Sequence, residues 1–119
     1  MIDSNRRIMV VENDRDFSYL LYTLFKQEYF AVLPVFNSYE VMDRFMEFQP
    51  QVISLNLDLF AGRLDQLALV SALHVPLVAY SVDDIDEAAL SLVTEFFQKP
   101  FNFYTFLERV DRLMTIPVA

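Results

Sequence analysis

The stretch Ile8-Met9-Val10-Val11-Glu12-Asn13-Asp14 passes directly from an apolar run to a polar one. Further apolar runs end in the same way along the chain, and the polar side chains that follow them include Asn56, Ser81 and Lys99. Short continuous apolar runs are typical of strands that are buried on both faces of a parallel sheet. Polar residues at the carboxyl ends of such strands converge in one crevice. The stretch therefore predicts the first strand of an open α/β sheet and one wall of its functional site.

Apolar residues with helical spacing separate the strand runs. The first helical segment has its apolar positions at i, i+3, i+4, i+7 and i+8, namely Phe17, Leu20, Leu21, Leu24 and Phe25. Asn13 or Asp14 can cap this helix. The segment 37–40 has the spacing of a capping box, with Asn37 in the capping role, and Asn102 is positioned to cap the last helix.

The whole pattern predicts five strands that alternate with five helices. Strands are predicted at residues 7–12, 30–36, 52–57, 77–81 and 95–98, and the third and fourth helices at 64–73 and 84–92. Pro34 favours an edge position for the second strand, because proline cannot donate to a sheet ladder. This alternation requires a parallel sheet that is covered by helices on both faces.

Length and composition fit one domain over residues 1–119 with its core at 6–115. The chain is 55% apolar, has no cysteine and contains no apolar run near the roughly 18 residues that cross a bilayer. The first residues lack the apolar segment of a signal peptide. With 9 Lys+Arg against 17 Asp+Glu, the net charge of −8 argues against direct nucleic-acid binding. We therefore expect no nucleic-acid partner, no membrane contact and no disulfide.

These residues resemble the motif set of response-regulator receiver domains, which are CheY-like, and the resemblance covers residues 6–115. It implies a single (βα)5, flavodoxin-like three-layer sandwich with a five-stranded parallel sheet in the order 2-1-3-4-5. It also implies a bacterial, cytoplasmic protein. The matching positions are Glu12 and Asn13 for the acidic pair, Asn56 for the phosphoacceptor, Ser81 for the hydroxyl, Phe96 for the switch aromatic, Lys99 for the lysine and Pro100 for a proline after a cis bond.

The departures from the family pattern concern its chemistry. An amide at position 56 is a poor nucleophile and yields no stable acyl phosphate. The candidate metal-side residues are Glu12, Asn13, Asn56 and Asp58. Of the three that match the family positions, only Glu12 keeps a carboxylate, and Asp58 lies two residues beyond Asn56. Because Mg²⁺ prefers charged oxygen ligands and sheds water reluctantly, we expect any Mg²⁺ binding to be weak and no other cofactor. A single glycine in the chain also argues against a phosphate-cradling loop.

Lys99 has lost the aspartate that the family pairs with it. A lysine in a crevice needs compensation, which we expect from Glu12 or Asp58, with the Asn56 amide oxygen accepting a further hydrogen bond. The competing interpretation is that Lys99 and Ser81 only satisfy buried polar groups at the strand ends. Two other interpretations stay open: Asp58 is the phosphoacceptor, or Asn56 is an engineered change in a normal receiver domain.

An aromatic-rich segment over residues 96–106 is the best candidate for an interaction face. Phe97, Phe101 and Tyr104 are assigned to this face, with Phe101 and Tyr104 expected to be exposed anchors. In receiver domains the fourth helix, fifth strand and fifth helix form the usual dimerisation face, so a homodimer through this region is one expectation. The competing interpretation is an aromatic-rich core.

The sequence thus favours a binding module over an enzyme. We expect an atypical receiver domain of two-component-type signal transduction that is not phosphorylated at the usual site and acts by phosphorylation-independent contact with a protein partner.

Overall fold

Five short strands form one parallel sheet in the computed structural model, which describes residues 6–115. The strands are β1 (Arg7–Val11), β2 (Ala31–Val35), β3 (Val52–Asn56), β4 (Leu77–Ser81) and β5 (Glu95–Gln98). Their order in the sheet is β2-β1-β3-β4-β5, and each neighbouring pair is parallel. The predicted fold class and strand order are therefore confirmed. Residues 1–5 and 116–119 of the predicted domain lie outside the described residues.

Helices cover both faces of this sheet. They are α1 (Arg15–Gln27), α2 (Val41–Phe48), α3 (Leu64–Ser71), α4 (Glu87–Leu90) and α5 (Phe103–Thr115), and a 3₁₀ turn (Leu57–Phe60) follows β3. None of the helices within the described range is long and apolar enough to span a bilayer.

The alternation of side chains along each strand divides the core into two layers. In β1, Ile8 and Val10 pack with α1 and α5 residues such as Leu21, Phe25 and Phe106, which form the α1/α5 layer. Met9 and Val11 point the other way and pack with α2 and α3. The β3 and β4 strands are buried along their whole length, as the continuous apolar runs predicted.

The helix starts follow the predicted caps at two places and differ at a third. Asp14 caps α1 by accepting from the amides of Asp16 and Phe17, and Asn102 accepts from the first amides of α5. Asn37 does accept from the Glu40 amide at 2.9 Å. However, residues 37–40 form a turn, and α2 begins only at Val41 without a side-chain cap. The predicted capping box therefore closes a turn that precedes the helix.

The fourth helix is much shorter than the predicted span of 84–92. Asp86 accepts from the Ala89 amide and so fixes the start of α4 at Glu87. None of the four residues of α4 is fully buried. Because a short helix depends on tertiary packing of an apolar face for its stability, the segment forms a single turn.

The second strand is at the edge of the sheet, as Pro34 predicted. The Ala31 amide donates to the Arg6 carbonyl at 2.7 Å, on the side of β1. Alternation along the strand places the nitrogen of Pro34 on the outer side, where the ladder loses no hydrogen bond.

Candidate functional site

Three neighbouring strands bring their polar carboxyl ends together. Glu12 follows β1, Asn56 ends β3 and Ser81 ends β4, and these strands are adjacent in the order β1-β3-β4. Glu12 and Ser81 have no exposed surface and Asn56 is 7% exposed. The crevice predicted from the strand ends is therefore present, and its polar groups must find their partners inside the protein.

The Glu12 carboxyl is the centre of a closed hydrogen-bond network. Its Oε1 accepts from the Tyr80 hydroxyl at 2.5 Å. Its Oε2 accepts from the Asp14 backbone amide at 2.9 Å and from Asn56 Nδ2 at 3.3 Å. Both oxygens are thus satisfied by protein donors, which is what a fully buried carboxylate requires.

Tyr80 is held in the α1/α5 layer by aromatic packing. Its ring centroid lies 5.4 Å from that of Phe17, 5.6 Å from that of Phe101 and 6.0 Å from that of Phe106. Burial, and secondarily the Glu12 carboxylate, raise the pKa of Tyr80 far above its ordinary value. The phenol therefore remains a protonated donor to Glu12.

This raised pKa predicts a loss of stability in alkali. Above the ordinary tyrosine pKa of 10.0, the unfolded chain releases the Tyr80 proton while the folded chain keeps it, so unfolding gains a driving force as the pH rises. Relative to Tyr80→Phe, the wild type should lose about 1.4 kcal/mol of unfolding free energy per pH unit above that point. Urea unfolding of both proteins, at about unit steps from roughly pH 8 to roughly pH 11, measures this difference. Parallel pH profiles of the two proteins would contradict the assignment of Tyr80 as a buried, protonated donor.

The other side of the Asn56 amide closes the turn after β3. Its Oδ1 accepts from the Asp58 backbone amide at 2.9 Å and so caps the 3₁₀ turn. Both ends of the amide are therefore engaged, the nitrogen with Glu12 and the oxygen with the chain that follows.

Asp58 and Ser81 form a second, more open pair. Ser81 Oγ donates to Asp58 Oδ1 at 2.6 Å and accepts from the Asp83 amide at 3.1 Å. Asp58 itself is exposed. The structure thus places a solvent-accessible carboxylate beside the hydroxyl position.

The expected pairing of Lys99 with Glu12 or Asp58 is wrong. Within the described part of the chain Lys99 forms no ion pair. Its Nζ lies 3.7 Å from the centroid of the Phe17 ring and 5.1 Å from that of Tyr80. Aromatic faces attract cations through their quadrupoles, so the half-buried lysine is held by the two rings.

The residues at the family's metal positions do not fit Mg²⁺. Both oxygens of Glu12 accept hydrogen bonds from protein donors. The Asn56 side-chain oxygen caps the 3₁₀ turn, and Asn13 is exposed. The neighbouring Asp14 is occupied as the cap of α1. Among residues 6–115 no group of three or more acidic, histidine or cysteine side chains could hold a metal ion. Mg²⁺ requires oxygen ligands with free lone pairs in near-octahedral arrangement.

The two remaining predicted site residues are Phe96 and Pro100. Phe96 packs, partly buried, against the layer formed by α2 and α3. The Lys99–Pro100 bond is cis, as the resemblance implied.

Of the predicted interaction face, only Tyr104 is an exposed aromatic, with 85% of its surface accessible. Phe97 and Phe101 are partly buried and belong to the α1/α5 layer. Phe101 stacks on Phe106 with a centroid distance of 4.9 Å. The expectation that Phe101 is an exposed anchor is therefore wrong, because Phe17 of α1 also reaches over and covers it.

Sequence reasoning missed Tyr80 and Phe17, which build the wall of the crevice. A signal for Tyr80 was present: a tyrosine inside a strand that reads as buried on both faces must bring its hydroxyl to a partner. Phe17 offered no such signal, since its spacing fits an ordinary apolar stripe of α1.

No family model and no curated protein matches the sequence. By contrast, 282 chains of solved structures match the fold. The chain has the receiver fold. One match is a two-component response regulator from Clostridium difficile, with a TM-score of 0.81, 17% identity and coverage of 91% of this chain and 94% of that one.

Receiver-fold matches include structures described as non-phosphorylated and as BeF3-activated. The non-phosphorylated HemR receiver domain from Leptospira biflexa has a TM-score of 0.80 and 22% identity, with coverage of 95% and 97%. The BeF3-activated N-terminal receiver domain of RstA from Klebsiella pneumoniae has a TM-score of 0.81 and 15% identity, with coverage of 92% and 99%. At such identities the likeness shows a common receiver fold and does not extend to the chemistry of its crevice.

Proposed function

We propose that this chain is an atypical receiver domain of two-component-type signalling that takes no phosphate at position 56. It acts through phosphorylation-independent contact with a protein partner and is not an enzyme. The observation that carries the proposal is the Asn56 amide, which stands at the position where the family has its phosphoacceptor. Its Nδ2 donates to Glu12 Oε2 over 3.3 Å. An amide offers no carboxylate for phosphoryl transfer. In this crevice the Asn56 amide is instead a structural hydrogen-bond donor to Glu12.

The electrostatics of the crevice support the same proposal. Phosphoryl transfer depends on cations that neutralise the charge developing on the transferred group. Here the Glu12 oxygens face protein donors, and Lys99 rests on the Phe17 and Tyr80 rings. The side chains that would hold a magnesium ion and contact the phosphoryl oxygens are therefore engaged with the protein itself, and no cofactor is required.

The partner surface proposed here is centred on Tyr104 of α5. Its ring is exposed, and Leu20 of α1 is a half-exposed neighbour across a groove between the two helices. Exposed aromatic residues that stand on a rigid layer are typical interface anchors. A protein partner or a second copy of the chain would bind here; the net charge of −8 disfavours nucleic acid.

Acetyl phosphate labelling tests the absence of phosphotransfer. Incubation with acetyl phosphate and Mg²⁺, followed by intact-mass analysis, should give no phosphate adduct on the wild type, because position 56 lacks a nucleophile. A conventional receiver domain treated in parallel serves as the positive control. A hydroxylamine-sensitive adduct on the wild type would overturn the proposal.

A second candidate is phosphorylation at Asp58, which one observation favours. Asp58 is exposed and its Oδ1 accepts from the Ser81 hydroxyl at 2.6 Å, so it is the reachable carboxylate of the crevice. Any adduct that disappears in Asp58→Asn but persists in Asp83→Asn would establish this candidate. Asp83 is the matched control, because it is also exposed beside Ser81.

A further inference from the structure

Tyr80 supplies a donor at the point where a metal ion would need a lone pair. Its hydroxyl lies 2.5 Å from Glu12 Oε1, and the opposite oxygen of the carboxyl already receives two N–H groups. Hydrogen bonds to an ionised acceptor are among the strongest in proteins. Because Oε2 already accepts from two donors, a divalent cation that used Glu12 would have to compete with this hydroxyl for Oε1.

The hydroxyl oxygen cannot move away from Glu12, because the ring that carries it is fixed. Phe17, Phe101 and Phe106 surround Tyr80 with centroid distances of 5.4, 5.6 and 6.0 Å. The residue has no exposed surface. In a close-packed layer such a ring has no free volume into which it can rotate, so the donor is preorganised against the carboxyl.

We propose that Tyr80 closes this crevice to divalent cations, because its hydroxyl holds the Glu12 carboxyl. Aspartates introduced at positions 13 and 56 would then bind metal well only when Tyr80 also loses its hydroxyl. The inference rests on the proposed function and deepens it by naming the residue that sets metal exclusion. Tyr80 acts through Glu12 and is therefore a positioning residue. The amide substitutions at positions 13 and 56 then account for only part of the lost affinity.

The chain offers a clean substitution for this test. Tyr80→Phe removes the hydroxyl and keeps the ring. The aromatic packing is therefore retained, as is the contact between Lys99 Nζ and the centroid of that ring at 5.1 Å. Tyr104→Phe is the matched control, since it removes a hydroxyl from a residue that is 85% exposed and is not one of the donors to Glu12.

The experiment compares Mn²⁺ and Mg²⁺ binding in four proteins: the wild type, Asn13→Asp/Asn56→Asp, the same double variant with Tyr80→Phe, and the double variant with Tyr104→Phe. Mn²⁺ binding is followed by electron paramagnetic resonance, and Mg²⁺ is added as a competitor. We expect Tyr80→Phe to tighten binding by the double variant roughly tenfold or more, the factor that corresponds to about 1.4 kcal/mol, and Tyr104→Phe to leave it unchanged.

Equal affinity of the double variant with and without the Tyr80 hydroxyl would overturn the inference. If the triple variant does not fold, the pair Asn56→Asp and Asn56→Asp/Tyr80→Phe makes the same comparison with Asn13 retained. The proposed function fails separately, through phosphate labelling of the wild type, because the metal experiment measures only how the variants differ in affinity.

Discussion

Phe101→Ala is expected to lower the free energy of unfolding by about 2–4 kcal/mol, near the range measured for large-to-small changes of core aromatic residues. Phe101 contacts Phe17, Tyr80, Phe97, Phe103 and Phe106 within one aromatic cluster. Its removal leaves a cavity beside the ring that carries the Glu12 donor. The loss of stability should therefore be accompanied by loosening of the crevice.

Tyr104→Ala is the matched control for this change, because it lies three residues further along and is 85% exposed. It should alter stability by no more than about 0.5 kcal/mol while weakening self-association or partner capture. Urea unfolding and sedimentation analysis of the two single variants separate the effects. Equal stability of the two variants would contradict the packing assigned to Phe101, and unchanged association of Tyr104→Ala would remove it from the interaction surface.

Asn56→Asp should destabilise the metal-free protein by about 2–4 kcal/mol at neutral pH, because it removes a donor to Glu12 and places a second carboxylate beside a buried one. The amide nitrogen and Glu12 Oε2 are only 3.3 Å apart. Like charges at that distance cannot both remain ionised without compensation. The destabilisation should therefore shrink on acidification, as one carboxyl of the pair takes up a proton.

Asn13→Asp provides the control for this charge change. It restores the other carboxylate of the family pattern, but at an exposed position, and it should shift stability by no more than about 0.5 kcal/mol. Thermal and urea unfolding with a chelator present, at neutral and acidic pH, measure both variants. An Asn56→Asp protein as stable as the wild type at neutral pH would show that the amide is not a required donor.

The sheet could be predicted from sequence because its strands are continuous apolar runs between clear helical stripes. Burial on both faces leaves few other structures for a segment such as β3 or β4. The length of α4 could not be predicted, since it depends on whether the helix finds an apolar surface to pack against. The start of α2 could not be predicted for a related reason. The spacing of a capping box does not specify which residue begins the helix, and Asn37 closes a turn that precedes α2.

At the crevice, the sequence predicted which strand ends meet but not which side chains bond. Convergence follows from topology alone, whereas the Tyr80–Glu12 bond depends on how far a tyrosine ring in β4 reaches across the sheet. The need to compensate a charge in a crevice predicted a carboxylate partner for Lys99, whereas the structure places its ammonium group over aromatic rings. The ring of Phe17 comes from a helix far away in sequence, and only the folded structure brings it under the lysine.

The three donors on Glu12 have a consequence for how information could pass through such a domain. The chain itself supplies the hydrogen-bond partners of this network. The arrangement of these strand ends therefore does not depend on the binding of an ion or a metabolite. Under the proposed function, the output is set by dosage: the amount of protein made and the affinity of its partner. Cells would tune such a component at the level of synthesis and degradation.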